Sequence, residues 1–526
     1  MNINLTQSLH RAAQQNAGGV ASRFGDRCTT YAQLHDRVAR LAAALRNLGV
    51  NPGDRVGMLS LNSDRYLEYY LATWWAGAVV NPINVRWSAA EVAFSLRDCD
   101  TRVLIVDDTF APMVSELKGL VPALREVIHA RESEAAVQCR DIPGAHAYEA
   151  LIGSVAPMED QRAGGDALAA IFYTGGTTGQ PKGVMLSHGN LWVSGLARMA
   201  QIHSEPGSTA VHVAPLYHLA AAGRLITQVT IAGESVILPS FHAGELVACI
   251  ERHQVREVTL VPSMIQMLLD DPAFDPVRLS SLQRISYGAS PISEVILERA
   301  LQRLPNIEFS QTYGQTEAAP VITINPPENH VGEGRRLGRL RAAGRACYAV
   351  EVRIEDALGR ELARGEVGEI CVRGPNVMLG YWNRPEETEH ALRGGWLHTG
   401  DVGYMDETGY VFIVDRLKDM IVSGGENVYC AEVEHAVRQH PAVADCAAFG
   451  IPSERWGESV HVVVVIKAGA QLDLDQLQTH CRSLIASYKV PRSMEVLPAL
   501  PMSAVGKVLK SALRQPHWSG ASRSVN

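Results

Sequence analysis

No apolar run in the 526-residue sequence approaches the ~18–20 residues that a bilayer-spanning helix needs. The richest stretches, Leu71 to Val80 (LATWWAGAVV) and Val460 to Ile466, suit a buried helix and a buried strand. A spanning segment is therefore excluded, whereas peripheral membrane contact is not. Positive charge is also in short supply. The 48 Lys and Arg face 56 Asp and Glu, a formal charge of −8, so no global field exists to hold a nucleic acid. Cysteine pairs are missing: the nine cysteines (28, 99, 139, 249, 347, 371, 430, 446 and 481) are odd in number, scattered and without a C-x-x-C. That argues against a disulfide framework and a cysteine-rich zinc site, and suits a reducing, cytoplasmic compartment. The start, MNINLTQSLHRAAQQNAGG, lacks the layout of a signal peptide and any lipidation motif, so the chain is expected to be mature as written. No repeat period is visible, and the only polar tract is Ser519 to Asn526.

What is present is the composition of a folded chain, 46% hydrophobic and 20% charged, long enough for two to four domains at ~100–200 residues each. Apolar runs alternate with helix-period stretches. Thr101 to Val106 follows a helical pattern at Ala89 to Asp98, and Glu257 to Val261 precedes another at Ser263 to Leu269. This rhythm predicts layered α/β subdomains with largely parallel strands. From about Gly365 the texture becomes β-rich, with strands predicted at Gly368 to Arg373 and Gly409 to Val414. A small α+β unit is then expected from Arg416, with helices at Glu432 to Gln439 and Leu474 to Ala486 and strands at Ala444 to Phe449 and Val460 to Ile466. Two domains, 1–415 and 416–526, follow. The second carries 12 Lys and Arg against 10 Asp and Glu, leaving −10 for the first. A basic small unit fits a mobile lid over phosphates.

Four clusters carry chemistry. Tyr173 to Gly183, YTGGTTGQPKG, crowds glycines, threonines and a lysine. Glycines let backbone N–H groups approach an anion, hydroxyls donate to it, and the lysine supplies charge. It is not a Walker A loop, because Gln180 and Pro181 separate Gly179 from Lys182 and no Ser or Thr follows the lysine. A plain turn between strand and helix is the alternative for such a segment. Gln311 to Pro320, QTYGQTEAAP, places Tyr313, Thr316 and Glu317 together, types that can stack a base, bind a phosphate and hold Mg²⁺. A third cluster runs WLHTGD at Trp396 to Asp401, then DRLKD at Asp415 to Asp419, then SGGEN at Ser423 to Asn427. The last is PMSAVGKVLK, Pro501 to Lys510. Taken singly, Gln311 to Pro320 reads more readily as a surface loop, and a lysine after glycine, as in Pro501 to Lys510, as a solvated loop charge.

Together and in this order, these segments resemble the adenylate-forming superfamily of acyl-CoA synthetases, nonribosomal adenylation domains and firefly luciferase. The resemblance runs from Tyr173 to Lys507, and Trp75 to Asn84 (WAGAVVNPIN) extends it towards the N-terminus. It implies that a carboxylate attacks the α-phosphorus of ATP and that a thiol then displaces AMP. By similarity, Thr174, Gly175, Gly176, Thr177, Thr178, Gly179 and Lys182 handle the ATP phosphates. Gly288, Ala289, Ser290 and Gly314 adjoin the nucleotide, and Tyr313 stacks on adenine. Thr316 contacts the α-phosphate, Glu317 holds Mg²⁺, Asp401 binds the ribose, and Arg416 reaches ribose and phosphate. Lys507 would bridge the carboxylate and the α-phosphate as a point charge on a flexible stem. Lys418 falls at the family's hinge, and Gly424, Gly425 and Trp456 fall where CoA is met, Trp456 being as readily a surface residue beside Arg455. This chain departs from the usual pattern at Cys430, where a helix-N1 proline is common, and at Gly175, where serine is frequent.

Amino-acid-activating relatives carry an aspartate near the position of His218, but no acidic residue lies between His212 and Arg224, and a buried ammonium would lack its partner. His218 and the small residues Ala220, Ala222, Gly288, Ala319 and Pro320 are the expected acyl pocket, roomy enough for a medium- or long-chain fatty acid or a bulky aryl or alicyclic acid. Only 16 residues follow Lys510, too few for a carrier domain, so an appended one is not expected. The expectation is a stand-alone acid:CoA ligase using ATP, CoA and Mg²⁺, compatible with a homodimer. The alternatives are a fatty-acyl-AMP ligase serving a carrier protein and, more remotely, a non-catalytic nucleotide-binding regulator.

Overall fold

A computed structural model describes residues 3–131, 142–174, 181–290, 292–417, 419–423, 426–453, 455–503 and 507–518. The chain divides into two compact units, Met1–Val352 with Val372–Leu397, and Arg353–Cys371 with His398–Asn526.

The larger unit is layered α/β. In its nine-stranded sheet, Val20–Phe24, Glu234–Ile237, Thr209–His212, Glu257–Leu260, Arg284–Gly288 and Glu308–Tyr313 run parallel in that spatial order. Arg27–Thr30, Thr323–Asn325 and Arg345–Ala346 add antiparallel edges. In the eight-stranded sheet, Leu168–Thr174, Val79–Pro82, Arg55–Leu59, Thr101–Asp107, Glu126–Ala130 and His146–Ala147 are parallel, and Lys182–Ser187 and Gly380–Tyr381 complete the other edge antiparallel. Strands covered on both faces read as unbroken apolar runs, and Leu104, Ile105 and Val106 are indeed fully buried. The predicted helix Ala89–Asp98 is present, opened by a capping box between Ser88 and Glu91.

The apolar run at Leu71 to Val80 is divided between two elements. Helix Asp64–Trp75 ends, the chain turns through Gly77 at φ +74°, and strand Val79–Pro82 follows. The Trp74 indole donates to Ala169 O at 2.9 Å, fastening this helix to the strand that leads to Thr174. Among the described residues, no helix is long and apolar enough to cross a membrane.

Gly368–Arg373, Leu397–Met405 and Val411–Arg416, most of whose residues belong to the smaller unit, lie side by side in one sheet. A second sheet joins Ile421–Ser423, Gly457–Ile466 and Val443–Ser453, with Ser493–Val496 parallel to Gly457–Ile466. Helices Cys430–Arg438 and Leu474–Arg482 bury Val433, Val437, Leu477 and Cys481 on it. Ala447, Phe449, Val463, Leu500 and Leu513 form a second, smaller apolar cluster. Cys430 occupies the helix-N1 position expected of it, and its thiol donates to Asp419 O at 2.9 Å. The boundary expected at 415/416 falls inside strand Val411–Arg416. The compact unit takes in residues ahead of it because Leu397–Met405 pairs with that strand from Met405↔Val411 to Asp401↔Arg416.

Candidate active site

Three of the candidate segments leave the carboxyl ends of the parallel strands in the nine-stranded sheet. Strand Thr209–His212 runs out towards His218, Arg284–Gly288 into Ala289 and Ser290, and Glu308–Tyr313 into Gly314 and Thr316. Those ends are where open α/β sheets bind ligands, because loops diverge there and leave a crevice. Close backbone approach explains two glycines. A Cβ on Gly288 would lie 2.1 Å from Thr312 O, and one on Gly314 would lie 1.9 Å from Pro320 O. Any side chain at either position would push these loops apart.

The segment expected to handle phosphates has a different setting from a strand-to-helix turn. Strand Leu168–Thr174 is followed by a second strand, Lys182–Ser187, paired antiparallel with Thr174 opposite Lys182, and helix His188–Gln201 begins only after it. Gly175, Gly176, Thr177, Thr178 and Gly179 lie outside the described residues, as do Lys418, Gly424 and Gly425. Thr174 and Lys182 hold the two ends, with the Thr174 hydroxyl 3.5 Å from Lys182 O.

Lys182 and Glu317 are brought together through a residue that sequence reasoning missed. Tyr381 donates its hydroxyl to Glu317 Oε1 at 3.0 Å, and the Lys182 ammonium sits 5.1 Å from the centroid of the Tyr381 ring. Strand Gly380–Tyr381 pairs with Lys182–Ser187, and Met378 N donates to Glu317 O, so backbone as well as side chains tie the two loops. Burial and the Glu317 charge hold the Tyr381 phenol well above its ordinary pKa, so it remains a donor. Glu317 and the Thr316 hydroxyl are oxygen donors of the kind that suit a hard cation such as Mg²⁺.

Around the expected acyl pocket, helix Leu219–Thr230 starts directly after His218, whose ring centroid lies 4.4 Å from that of Tyr217 at a tilt of 49°. A Cβ on Gly223 would lie 3.8 Å from Pro320 Cδ. Ala220, one helical turn earlier on that face, is exposed. Ala222 has no exposed surface and Ala319 only 2%, so neither lines a space open to solvent, and their small size serves packing. Ala319 and Ala289 also adopt positive φ, +53° and +66°. The buried Tyr217 hydroxyl has no hydrogen-bond partner among the described residues, and desolvation pushes it up to about 12.

In the smaller unit, Asp401 and Arg416 face each other across paired strands, with Arg416 Nε 3.3 Å from Asp401 Oδ1. The turn before Asp401 is braced. Glu369 accepts from Gly400 N at 3.0 Å and meets His398 Nδ1 at 2.8 Å, while Thr399 Oγ1 accepts from Asp401 N at 3.1 Å. Lys507 is half-buried, in a local pair in which its N–H donates to Ser503 Oγ and its carbonyl accepts from Ser503 N. The Trp456 ring has two guanidinium groups close to it, Arg455 at 4.6 Å and Arg492 at 4.4 Å. Arg492 was not a sequence candidate, and its distance along the chain gave no local signal.

Sequence profiles of the AMP-binding enzyme and of the AMP-binding enzyme C-terminal domain match residues 9–382 and 432–507. The chain belongs to the AMP-binding enzyme family. Its relatives span nearly its full length. A feruloyl-CoA synthase of Amycolatopsis sp is 38% identical over 96% of this chain and 97% of its own. The fatty acid–[acyl-carrier-protein] ligase ScoC of Streptomyces coeruleorubidus is 37% identical over 99% and 97%. ATP-bound MatB from Rhodopseudomonas palustris superimposes with a TM-score of 0.89 at 29% identity, covering 99% of both chains. As an AMP-binding enzyme, the chain is an adenylate-forming ligase. The two-unit α/β architecture expected from the sequence is the one these enzymes have.

Proposed function

We propose that this enzyme joins a medium- or long-chain fatty acid, or a bulky aryl or alicyclic acid, to CoA through an acyl-AMP intermediate, with Mg²⁺ assisting the first half-reaction. A carboxylate oxygen attacks the α-phosphorus of ATP and pyrophosphate leaves. The CoA thiol then attacks the acyl carbonyl and AMP leaves. The observation that carries the reading is the Lys182–Tyr381–Glu317 arrangement, which holds a cation and a carboxylate side by side at the end of the phosphate-handling segment. Bound there, Mg²⁺ would be held through Glu317 and would neutralise charge growing on the phosphoryl oxygens. Thr174, Thr316 and Lys182 supply donors to the phosphates, Tyr313 the stacking face, and Asp401 and Arg416 the ribose contacts. Lys507 orients the attacking carboxylate.

The Trp456 ring, with Arg455 and Arg492 close to it, supports CoA as acceptor, because two guanidinium groups near an aromatic ring suit a phosphorylated nucleotide. The likeness to ScoC supports a second reading, transfer to a carrier-protein thiol. The small unit from Arg416, with its hinge at Lys418, is proposed to move between the half-reactions. A cytoplasmic enzyme, as a monomer or homodimer, fits this reading. The test is a panel of carboxylic acids with ATP and either CoA or a phosphopantetheinylated carrier protein, read by pyrophosphate release and product mass. Pyrophosphate release with apolar acids and CoA thioester formation are expected; activation of amino acids alone would overturn the acid class, and transfer to the carrier alone would overturn the acceptor.

A further inference from the structure

Strand Gly457–Ile466 carries a single histidine in a run of valines, and the proposed reaction gives it no work. His461 is 4% exposed. Its Nδ1 lies 2.7 Å from the Ser493 hydroxyl, while its Nε2 is buried without a hydrogen-bond partner among the described residues. A buried ring nitrogen left unpaired is costly unless something binds it.

The surroundings supply two further ligand types. In the parallel pairing of Ser493–Val496 with Gly457–Ile466, His461 lies beside Ser493 and Val463 beside Glu495. Residues two apart on a strand share a face, so Glu495 stands on the side of the sheet that His461 occupies. His517, in the turn Gln515–Trp518, places its ring centroid 4.8 Å from that of His461 at a tilt of 48°, and its Nε2 is 3.9 Å from Glu495 Oε2. One donor atom from each of the three lies within 4.8 Å of the others. Phe449 packs against both imidazoles at 5.1 and 5.8 Å, and the Trp518 indole donates to Gly450 O at 3.0 Å, anchoring the turn.

We propose that His461, Glu495 and His517 form a binding site for a borderline divalent transition cation, with Zn²⁺ the best match. Two imidazoles and one carboxylate are ligands that zinc accepts and that Mg²⁺ does not seek. With bonds of ~2.0–2.1 Å, donors around tetrahedral zinc stand about 3.3 Å apart, so the 3.9 Å between His517 and Glu495 closes with a small side-chain rotation. Ser493 plays the outer-shell part. When its hydroxyl accepts from Nδ1–H, the ring is held in the tautomer whose lone pair is on Nε2, the one a metal needs. The other mixed cluster, Glu355, Cys371 and His398, lacks this character. There His398 Nδ1 is engaged by Glu369, and Glu355 is paired with Arg353, whose charge opposes a second cation. A metal on the His461 site would pin the turn Gln515–Trp518, and helix Lys510–Arg514 ahead of it, to the sheet.

The test uses the full chain, stripped by chelation and titrated with Zn²⁺ alone. His517 and Glu495 are 28% and 50% exposed, so their variants are expected to fold, which thermal melting checks. One equivalent should bind tightly to the wild type. His517→Ala and Glu495→Gln should each weaken binding about 100-fold or more, and Ser493→Ala about tenfold. Co²⁺ in place of Zn²⁺ should give visible bands of nitrogen and oxygen ligation without thiolate charge transfer. Zn²⁺ should slow hydrogen exchange at 515–518 in the wild type and not in Glu495→Gln. Absence of one-to-one binding, equal affinity in all variants, or a thiolate spectrum that survives His517→Ala would overturn the site.

Discussion

The Tyr381 hydroxyl donates to Glu317 Oε1 at 3.0 Å while the ring of the same tyrosine lies 5.1 Å from the Lys182 ammonium. One side chain therefore fixes two groups of opposite charge that reach the site from different sheets. Replacing it with phenylalanine keeps the ring under Lys182 and removes only the bond to the carboxylate. A hydrogen bond to a charged group contributes about 1.5–3 kcal/mol, so Tyr381→Phe should lower kcat/KM for pyrophosphate release about tenfold or more. The Mg²⁺ titration should shift to higher concentration with it. An unchanged Mg²⁺ dependence would separate Tyr381 from the metal.

Lys507 should matter in one half-reaction only. If it orients carboxylate and α-phosphate, Lys507→Ala lowers acyl-AMP formation by about two to three orders of magnitude and largely spares thioester formation from supplied acyl-AMP. Rapid-quench assays of each step make the comparison, and equal losses in both would remove the assignment.

The lysine three residues later has a different fate. Lys510 Nζ is 2.7 Å from Glu434 Oε1, its ammonium held above the ordinary range by the Glu434 and Asp415 carboxylates despite its burial. Lys510→Met leaves Glu434 without that cation, and breaking a buried pair in this way costs about 3–5 kcal/mol. Chemical denaturation of the full chain should show the loss as earlier unfolding of the C-terminal unit.

Asp415 lies beside the same charges and is 8% exposed. Burial pushes its carboxyl up to about 6, against an ordinary 3.8. The folded chain thus binds the extra proton more tightly than the unfolded one. Its contribution to stability is complete below the unfolded value and is lost as pH rises through about 6. Relative to Asp415→Asn, the wild type should lose about 2–3 kcal/mol between pH 4 and pH 7, read from denaturant midpoints at each pH.

How much of this was legible follows from where each signal lies along the chain. Ala89–Asp98 and Gly368–Arg373 occur with the predicted bounds because period and caps are local. The strand expected from Gly409 starts at Val411 instead, since Asp406 accepts from the N–H groups of Thr408 and Tyr410 and Gly409 turns at φ +84°. Helix Leu474–Arg482 stops short of Ala486, where the chain passes into the tight turn Ser487–Lys489 before Pro491. Residues such as Lys182, Glu317 and Asp401 are visible because their neighbours form motifs. Tyr381, 64 positions from Glu317, and Arg492, far along the chain from Trp456, have no such neighbours; only the sheet pairing and the fold bring them in.

Acid selection gives the last expectation, because the structure separates three alanines that the sequence treats alike. Ala220 is exposed on the helical face that Gly223 turns towards Pro320. Ala222 is fully buried, and Ala319 is buried at φ +53°. A leucine at 220 adds volume to open space, so Ala220→Leu should narrow the range of accepted acids, penalising long or bulky ones most, with little change in Tm. At 222 and at 319 the same volume must be forced into packed surroundings, costing about 1–3 kcal/mol. Both should lower stability and depress all acids together. Tyr217→Phe is the companion: it removes a buried hydroxyl without a partner among the described residues and should preserve or raise Tm. If that hydroxyl meets polar acids, hydroxylated aryl acids should fall in rank against alkyl acids. Each variant is to be assayed on aliphatic acids of graded length and on aryl-propenoic acids beside its melting curve. An unchanged ranking in Ala220→Leu would move the acyl pocket away from this helix.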